Sequence, residues 1–363
     1  RGCLKVMFFY GLSDVGRRRQ NNQDSFGYLK IADNAEVFVV CDGMGGANGG
    51  NIASEMSVNI FTEYLKNSLG KFVDSKTNLL ILPEDTENLG PYATTAEFSF
   101  LRNNEKAQDL AAAAEENGLD DGTDVSGSGN HGDKSNRKTE TKDVRDSSVQ
   151  NEGADEPDVK VCDDVDNYED TSVLQNPIYT LLGEAVASAN TKVYERSKKD
   201  AELSGMGTTL VAALMIDSKL YIASVGDSRI YLFCGGDMVQ LTHDHSYVQY
   251  LVDIGQITPE QALTNPYRNI ITRAVGNERT IEADTESLLL TASPSYILLC
   301  SDGLTNYLSA SDIRDIVWGY GAEESDGEDQ EAELKRKVEE LIDSANEGGG
   351  GDNITALLVK YAV

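Results

Sequence analysis

An α+β fold is predicted by two features of the sequence. First, strand-like apolar runs between 208 and 241 are separated only by tight turns. Connections this short cannot be parallel crossovers, so an antiparallel meander is expected there. Second, apolar residues recur at helical spacing in two separate stretches, 52–65 and 178–193. Antiparallel strands with segregated helices form layered α+β domains.

The remaining elements follow from apolar periodicity and turn residues. The predicted strands are 7–12, 26–31, 37–41, 208–216, 219–225, 229–233, 239–241, 287–290, 296–300 and 354–360. The predicted helices are 52–65, 178–193, 246–254, 311–318 and 331–344. In the first helix the apolar residues recur at every fourth position: Ile52, Met56, Ile60 and Tyr64.

A strongly acidic segment, 70–175, lies between the first two predicted helices. It holds 25 acidic and 10 basic residues, which predicts a mostly disordered insertion within a single domain spanning 1–363. The insertion could be a surface loop without a role, or a regulatory or metal-attracting arm. A second acidic run, 320–333, predicts a solvated loop. These two runs carry most of the net charge of −30, and nucleic acid is not expected as a partner.

Cysteine usage and hydropathy bear on the compartment. The five cysteines are odd in number and unpatterned, which indicates buried thiols in a reducing compartment, cytoplasmic or nuclear. No apolar run approaches the roughly 18 to 20 residues needed to span a bilayer, so no membrane contact is expected. The sequence begins at Arg1, and a targeting signal ahead of it would not be visible.

Four aspartates share one local pattern, a glycine neighbour at the end or start of a strand-like run. They are Asp42, Asp227, Asp302 and Asp352. A single Asp-Gly pair is more often a hairpin turn, but the repetition favours a shared role. Carboxylates suit Mg²⁺ or Mn²⁺, and four of them in one place would repel one another unless divalent cations lay among them. Two such ions can hold a bridging hydroxide and direct it in line at phosphorus, without a covalent intermediate.

Other chemistries are disfavoured by spacing. No cysteine is followed five residues later by the arginine of a thiol phosphatase, and no Gly-x-Ser-x-Gly elbow is present. Residues 43–50 match neither glycine-rich nucleotide pattern. Among three histidines, His243 and His245 have the wrong separation for a helical zinc motif. Of the three arginines at 17–19, two are best interpreted as solvated and one could bind a substrate phosphate.

Six short motifs occur in order along the chain. They are Arg19 to Asp24, Cys41 to Gly46, Gly205 to Thr209, Gly226 to Arg229, Cys300 to Gly303 and Gly351 to Ile354. Together they resemble the metal-dependent (PPM, type 2C) serine/threonine protein phosphatases. The stretches 241–246 and 268–274 are most similar to the bacterial-type branch of that family.

The resemblance implies two central antiparallel β-sheets flanked by helices on both sides, an αββα sandwich. It implies hydrolysis of phosphoserine and phosphothreonine in phosphoproteins, with two Mn²⁺ or Mg²⁺ ions and a third, weaker one. The implied metal-binding residues are Asp42, which would bridge both ions, Gly43 through its carbonyl, Asp302 and Asp352 on the first ion, and Asp227 on the third. Arg19 would bind the substrate phosphate, Asp24 would orient metal-bound waters, and residues 245–271 would form a mobile flap. A monomer is expected.

Two residues depart from patterns seen in other members. Met44 stands where many eukaryotic members carry histidine, so no histidine general acid is expected there, and water or a third metal would have to serve in its place at the leaving alkoxide. Gln23 stands where some members carry glutamate, which shifts hydration of the second metal toward water-mediated contacts. Two alternatives stay open: a pseudophosphatase kept as an interaction module, and a hydrolase of small phosphate esters.

Overall fold

Alternate residues of the central strands pack into different layers. The computed structural model describes residues 6–82, 176–290, 295–319 and 329–362, all within one compact unit. In strand β3 (Ala35–Met44), Val37 and Val39 belong to one apolar cluster, whereas Phe38 and Val40 belong to another. Successive side chains of a strand point to opposite faces, so β3 is buried on both faces.

The strands form two sheets in which every pairing is antiparallel. Besides β3, they are β1 (Val6–Asp14), β2 (Asp24–Ala32), β4 (Gly207–Thr208), β5 (Leu210–Ile216), β6 (Lys219–Val225), β7 (Arg229–Cys234), β8 (Asp237–Gln240), β9 (Asp284–Leu289), β10 (Ser295–Cys300) and β11 (Ile354–Ala362). Sheet one has the order β1-β11-β10-β7-β8. Sheet two has the order β2-β3-β5-β6-β9, with β4 paired to β3.

Helices pack on the outer face of each sheet. The helices of the described part are α1 (Gly46–Leu69), α2 (Pro177–Lys199), α3 (Tyr247–Asp253), α4 (Pro259–Leu263), α5 (Asp302–Thr305), α6 (Ala310–Trp318) and α7 (Gln330–Glu347), with 3-10 turns at Gly70–Phe72 and Ala201–Leu203. Phe61 of α1 and Leu182 of α2 pack on sheet two, whereas Ile313 of α6 and Leu341 of α7 pack on sheet one. The inner faces of the two sheets share a third cluster. The predicted α+β class and αββα sandwich are confirmed.

Four helices of the described part begin with a side-chain cap, and two of these pack on the sheets. The Asn176 side chain accepts a hydrogen bond from the backbone N–H of Ile178, and Pro177 occupies the first helical position of α2. Ser309 and Asp312 form a reciprocal capping box at the start of α6. These local signals fix where the chain enters the helix layers.

The predicted meander over 208–241 is wrong at one connection. Strand β5 pairs with β6, and β7 pairs with β8, but β6 lies in sheet two and β7 lies in sheet one. The turn between them contains Gly226 at φ +101°, where a Cβ atom would lie 2.6 Å from Thr209 Cγ2. Only glycine adopts this backbone at so close an approach. The connection therefore crosses between the sheets instead of closing a hairpin.

Parts of both predicted acidic segments belong to the described fold. Residues 70–82 pack on sheet two, where Leu80 is buried and exchanges two hydrogen bonds with the side chain of Asn34. Helix α7 begins at Gln330, so residues 330–333 of the predicted acidic loop are helical, as acidic residues favour in a first turn. Residues 83–175 and 320–328 lie outside the described part of the chain. No helix in the described part is long and apolar enough to cross a membrane.

Replacing Gly226 by alanine is expected to lower the free energy of unfolding by about 2–4 kcal/mol, because left-handed strain and the contact with Thr209 add together. Gly235, in the turn between β7 and β8, is the matched control. It also has positive φ (+63°), but open space surrounds its Cβ position, so Gly235→Ala should cost only about 1–2 kcal/mol. Urea unfolding measures both variants, and equal losses would contradict the close approach at Gly226.

Candidate active site

Both sheets deliver carboxylates to one shared edge. Asp24 at the start of β2 is the pairing partner of Asp42 near the end of β3. In sheet one, Asp302 follows β10 and Asp352 precedes β11, two neighbouring strands that run in opposite directions. Asp227 follows β6 at the turn between the sheets. The antiparallel order therefore places all five carboxylates at the same end of the sandwich.

The charges of these residues act on one another. Burial raises the pKa of Asp42 well above its usual range, and four neighbouring carboxylates raise it further. In decreasing order of effect, these are Asp24, Asp302, Asp227 and Asp352. Burial followed by the charge of Asp302 likewise raises the pKa of Asp227 well above its usual range. The cluster is therefore a strongly negative site that favours a cation.

The backbone around Asp42 is held by two neighbouring threonines. Thr208 Oγ1 and the Thr209 N–H both donate to the Asp42 carbonyl, at 2.8 Å each. The Asp42 N–H donates to Thr209 Oγ1 at 2.9 Å, and that hydroxyl lies 2.7 Å from Ser228 Oγ. This support was missed at the level of sequence, although both threonines stand in one of the six motifs. The sequence signal for this support is the pair of hydroxyl side chains, Thr208 and Thr209, that directly follows Gly207.

Gly43 lies where the end of β3 meets the first turn of α1. A Cβ atom at this position would lie 2.1 Å from the Gly50 carbonyl oxygen, so only glycine fits. The Gly43 N–H donates to the Gln23 carbonyl at 3.2 Å, and Ser54 Oγ donates to the same carbonyl at 2.6 Å. The Gln23 side chain reaches Gly46 O at 2.9 Å. The loop that leads into Asp24 is thereby hydrogen-bonded to α1.

Asp24 has one satisfied and one unsatisfied carboxylate oxygen. Ser301 Oγ and Thr355 Oγ1 donate to its Oδ2 at 2.8 and 2.7 Å. Its Oδ1 is buried without a hydrogen-bond partner. Burial raises the pKa of Asp24 to about 7, and the two hydroxyl bonds only partly oppose this rise. The two sheets are joined through this carboxylate, because Ser301 and Thr355 belong to sheet one and its flanks.

Asp302 shows the same pattern. Asn306 Nδ2 donates to its Oδ2 at 3.0 Å, while Oδ1 is buried without a partner. Burial and then the charge of Asp352 raise the pKa of Asp302. Buried polar atoms are normally paired, so an unpaired carboxylate oxygen facing other carboxylates indicates a place for a cation.

Arg19 is the basic residue at the edge of the cluster. Its Nη2 lies 2.8 Å from Asp352 Oδ2, and the other oxygen of Asp352 accepts the N–H of Asn353 at 2.8 Å. The hydrogen bond to Asp352 raises the pKa of Arg19, and the charges of Asp42 and Asp302 add to the effect. Half of the Arg19 side chain is exposed, so the guanidinium can also meet a ligand from solvent.

The donor set fits a hard divalent cation in type and charge, but the side chains are not arranged around one. In the described ranges, no three His, Cys, Asp or Glu side chains are placed so that they could hold a metal ion. Asp352 and Asp302 instead accept hydrogen bonds from Arg19 and Asn306. The residues that could hold a metal are oxygen donors throughout, as Mg²⁺ and Mn²⁺ require, and they would have to turn from these partners.

The two described histidines are bonded to groups other than the five aspartates. The Gly226 N–H donates to His245 Nδ1 at 3.0 Å, so the ring hydrogen lies on Nε2, which faces Asp284 Oδ2 at 3.1 Å. Burial lowers the pKa of His245. His243 Nε2 faces Asp253 Oδ1 at 3.2 Å.

The two ends of the segment predicted as a flap, 245–271, are hydrogen-bonded to each other. Ser246 and Ile271 form an isolated β-bridge, and the Tyr247 N–H donates to the Ile270 carbonyl at 2.8 Å. Helices α3 and α4 lie between these two ends. The mobility of this segment stays a prediction.

Two family models described as protein phosphatase 2C match the chain, over residues 15–121 and 133–249. The serine/threonine phosphatase stp of Listeria innocua is 34% identical over 348 residues, covering 96% of this chain and 93% of that protein. A Streptococcus agalactiae serine/threonine phosphatase structure is 27% identical, with a TM-score of 0.59, and covers 98% of this chain and 99% of that one. A crystal structure of the catalytic domain of phosphatase PstP in complex with two manganese ions is 22% identical, with a TM-score of 0.58. The match covers 99% of this chain and 100% of that one, and at this identity it shows similarity of fold alone.

Without divalent metal, the protein is expected to lose stability as pH rises through neutrality. The pKa of Asp24 is raised from 3.8 to about 7 on folding, so between these values the folded state binds more protons than the unfolded state. The free energy of unfolding therefore falls as pH rises across that window. Urea unfolding in chelator, from about pH 5 to about pH 8, measures the slope.

Asp24→Asn should reduce this slope, because the amide does not ionise. Asp343→Asn, on an exposed position of α7, is the control and should leave the slope unchanged. An undiminished slope in Asp24→Asn would show that the raised pKa of Asp24 is not its cause.

Proposed function

This chain belongs to the protein phosphatase 2C (PPM) family of serine/threonine protein phosphatases, and we propose that it hydrolyses phosphoserine and phosphothreonine in phosphoproteins with two Mn²⁺ or Mg²⁺ ions. The observation that carries the proposal is the meeting of five mutually repelling carboxylates at one edge of both sheets. In the described part of the chain, the cations that act on this buried cluster are Arg19, paired with Asp352, and Arg229, paired with Asp244. Two arginines do not balance five carboxylates, two of which keep an unpaired oxygen.

The residues assigned to the metals are those of the family pattern. Asp42 would lie between both ions, Gly43 would offer its carbonyl to the second, and Asp302 and Asp352 would hold the first. Asp227, beside the inter-sheet turn, would hold a third and weaker ion. The two manganese ions named for the PstP structure support the number of ions proposed here.

When bound, two such ions would supply a hydroxide nucleophile for hydrolysis at phosphorus, and no phosphoenzyme would be needed. The chain's own groups bind and orient the substrate. Arg19 reaches the carboxylate edge from an exposed loop, and its planar guanidinium can hold two phosphate oxygens at once. Asp24, fixed by two hydroxyl bonds, keeps its second oxygen free toward the cluster, where it can accept a hydrogen bond from water.

Protonation of the leaving alkoxide is assigned to water. Met44 provides no acid, and both ring nitrogens of His245 are already engaged with the Gly226 N–H and Asp284. A solvent proton donor is therefore proposed in place of a histidine side chain.

Asp302→Asn is expected to lower kcat on a phosphothreonine peptide in Mn²⁺ by about a hundredfold or more, because it removes a charged ligand. The same variant should show a smaller rise in melting temperature on addition of Mn²⁺ than the native chain, since less binding energy is available. Asp343→Asn is the control for loss of a carboxylate. Unchanged turnover and an unchanged Mn²⁺ effect in Asp302→Asn would overturn the metal assignment.

Arg19→Ala should raise KM for the same peptide by about tenfold or more, because one charge-assisted contact to phosphate is lost. Arg18→Ala is the neighbouring control, since Arg18 is exposed on the same loop. Equal effects of the two substitutions would show a diffuse charge effect instead of a specific phosphate contact. Faster turnover of small phosphate esters than of phosphopeptides would favour the alternative substrate class.

A further inference from the structure

Asn353 connects the strand that follows Asp352 to the loop that carries Arg19. The residue is buried at 4% exposure, immediately before β11. Its Nδ2 donates to the carbonyls of Val15 and Asn21, at 2.9 and 3.0 Å. Its Oδ1 accepts the Gln23 N–H at 2.9 Å. One side chain thus binds three backbone groups more than three hundred residues away in sequence.

These three bonds lie on both sides of Arg19. Val15 precedes the arginine by four residues, whereas Asn21 and Gln23 follow it. Residues 15–23 form no helix or strand, so the backbone polar groups of this loop depend on partners outside it. One further tie is the Arg17 N–H, which donates to the Gly350 carbonyl at 2.7 Å. Both anchors come from the stretch just before β11.

The amide group is the only side-chain end that matches this set of partners. Two carbonyls require donors and one N–H requires an acceptor, and a primary amide supplies both in one plane. An aspartate at 353 would face the carbonyls of Val15 and Asn21 with negative oxygens. A serine would retain one of the three bonds at most.

The stretch just before β11 also supplies the ion-pair partner of the Arg19 guanidinium. The Asn353 N–H donates to Asp352 Oδ1, which orients that carboxylate, and Asp352 Oδ2 lies 2.8 Å from Arg19 Nη2. Asn353 therefore holds the loop backbone on both sides of Arg19, whereas Asp352 holds the guanidinium only while that carboxylate is not turned to a metal ion. Without the amide, a long exposed arginine on an irregular loop would sample many rotamers.

We propose that Asn353 is a positioning residue that holds the loop 15–23 so that Arg19 is ready to bind the substrate phosphate. The inference rests on the proposed function, because it needs Arg19 to contact phosphate. It assigns no contact between Asn353 and the substrate itself. Its effect is therefore expected on phosphate binding, and only through Arg19.

The test is a double-mutant cycle of Asn353→Ser and Arg19→Ala. The readouts are KM and kcat for a phosphothreonine peptide and the inhibition constant of inorganic phosphate, all in saturating Mn²⁺. Asn353→Ser alone should raise KM and the phosphate inhibition constant about tenfold, with kcat changed less than about threefold, because the metal ligands are intact. In the Arg19→Ala background the same substitution should add almost nothing, since residues that act as a unit are not additive.

Asn190 offers a matched control for the loss of a buried amide. It is 1% exposed, donates to the carbonyls of Glu278 and Arg279, and accepts the Gly276 N–H, which is the same pattern of three bonds. Asn190→Ser should lower the melting temperature about as much as Asn353→Ser but leave the phosphate inhibition constant unchanged. If Asn353→Ser does not fold, Asn353→Gln, which keeps an uncharged amide but displaces it by one methylene group, takes its place with the same expectations.

Additive effects in the cycle, or an unchanged phosphate inhibition constant in the folded Asn353 variant, would overturn the inference and leave the proposed function standing. Unchanged phosphate binding in Arg19→Ala alone would instead overturn the role proposed for Arg19, and the inference about Asn353 with it. The two failures are thereby distinguished by a single set of four proteins.

Discussion

Repulsion among five aspartates is the constraint on which the rest of the structure depends. Burial keeps water from screening these charges, and the pKa of Asp42 is raised by burial and by each of the other four. A fold that gathers such a cluster must hold it rigidly from outside. It does so with hydroxyl and amide groups: Thr208 and Thr209 on the Asp42 backbone, and Ser301 and Thr355 on Asp24.

The two-sheet architecture explains why residues far apart in sequence meet here. Each sheet contributes carboxylates from strand ends. The inter-sheet turn at Gly226 adds Asp227 to the group, and the loop before β2 adds Arg19. Site and fold are therefore not separable, because the contacts that join sheet one to sheet two at this end are those that orient the acids.

Much of this could be predicted from the sequence, and the exceptions have physical reasons. The central strands are apolar on both faces and were located within a few residues, and the strand-end aspartates stood out because their pattern is repeated. The crossing at Gly226 is not visible in the sequence, because a connection of three residues between strands fits a hairpin as well as a change of sheet. Thr209, Ser301 and Asn353 lie within the six motifs, but their functions depend on partners distant in sequence. The contact between Arg19 and Asp352 likewise exists only after folding.

The proposed two-metal site can be located in crystals grown with Mn²⁺, using anomalous scattering recorded at the manganese absorption edge. Two strong anomalous peaks are expected at the end of the sandwich, both next to the Asp42 carboxylate and one also contacting Asp302 and Asp352. An absence of peaks there at saturating Mn²⁺, or peaks confined to other acidic surfaces of the chain, would contradict it.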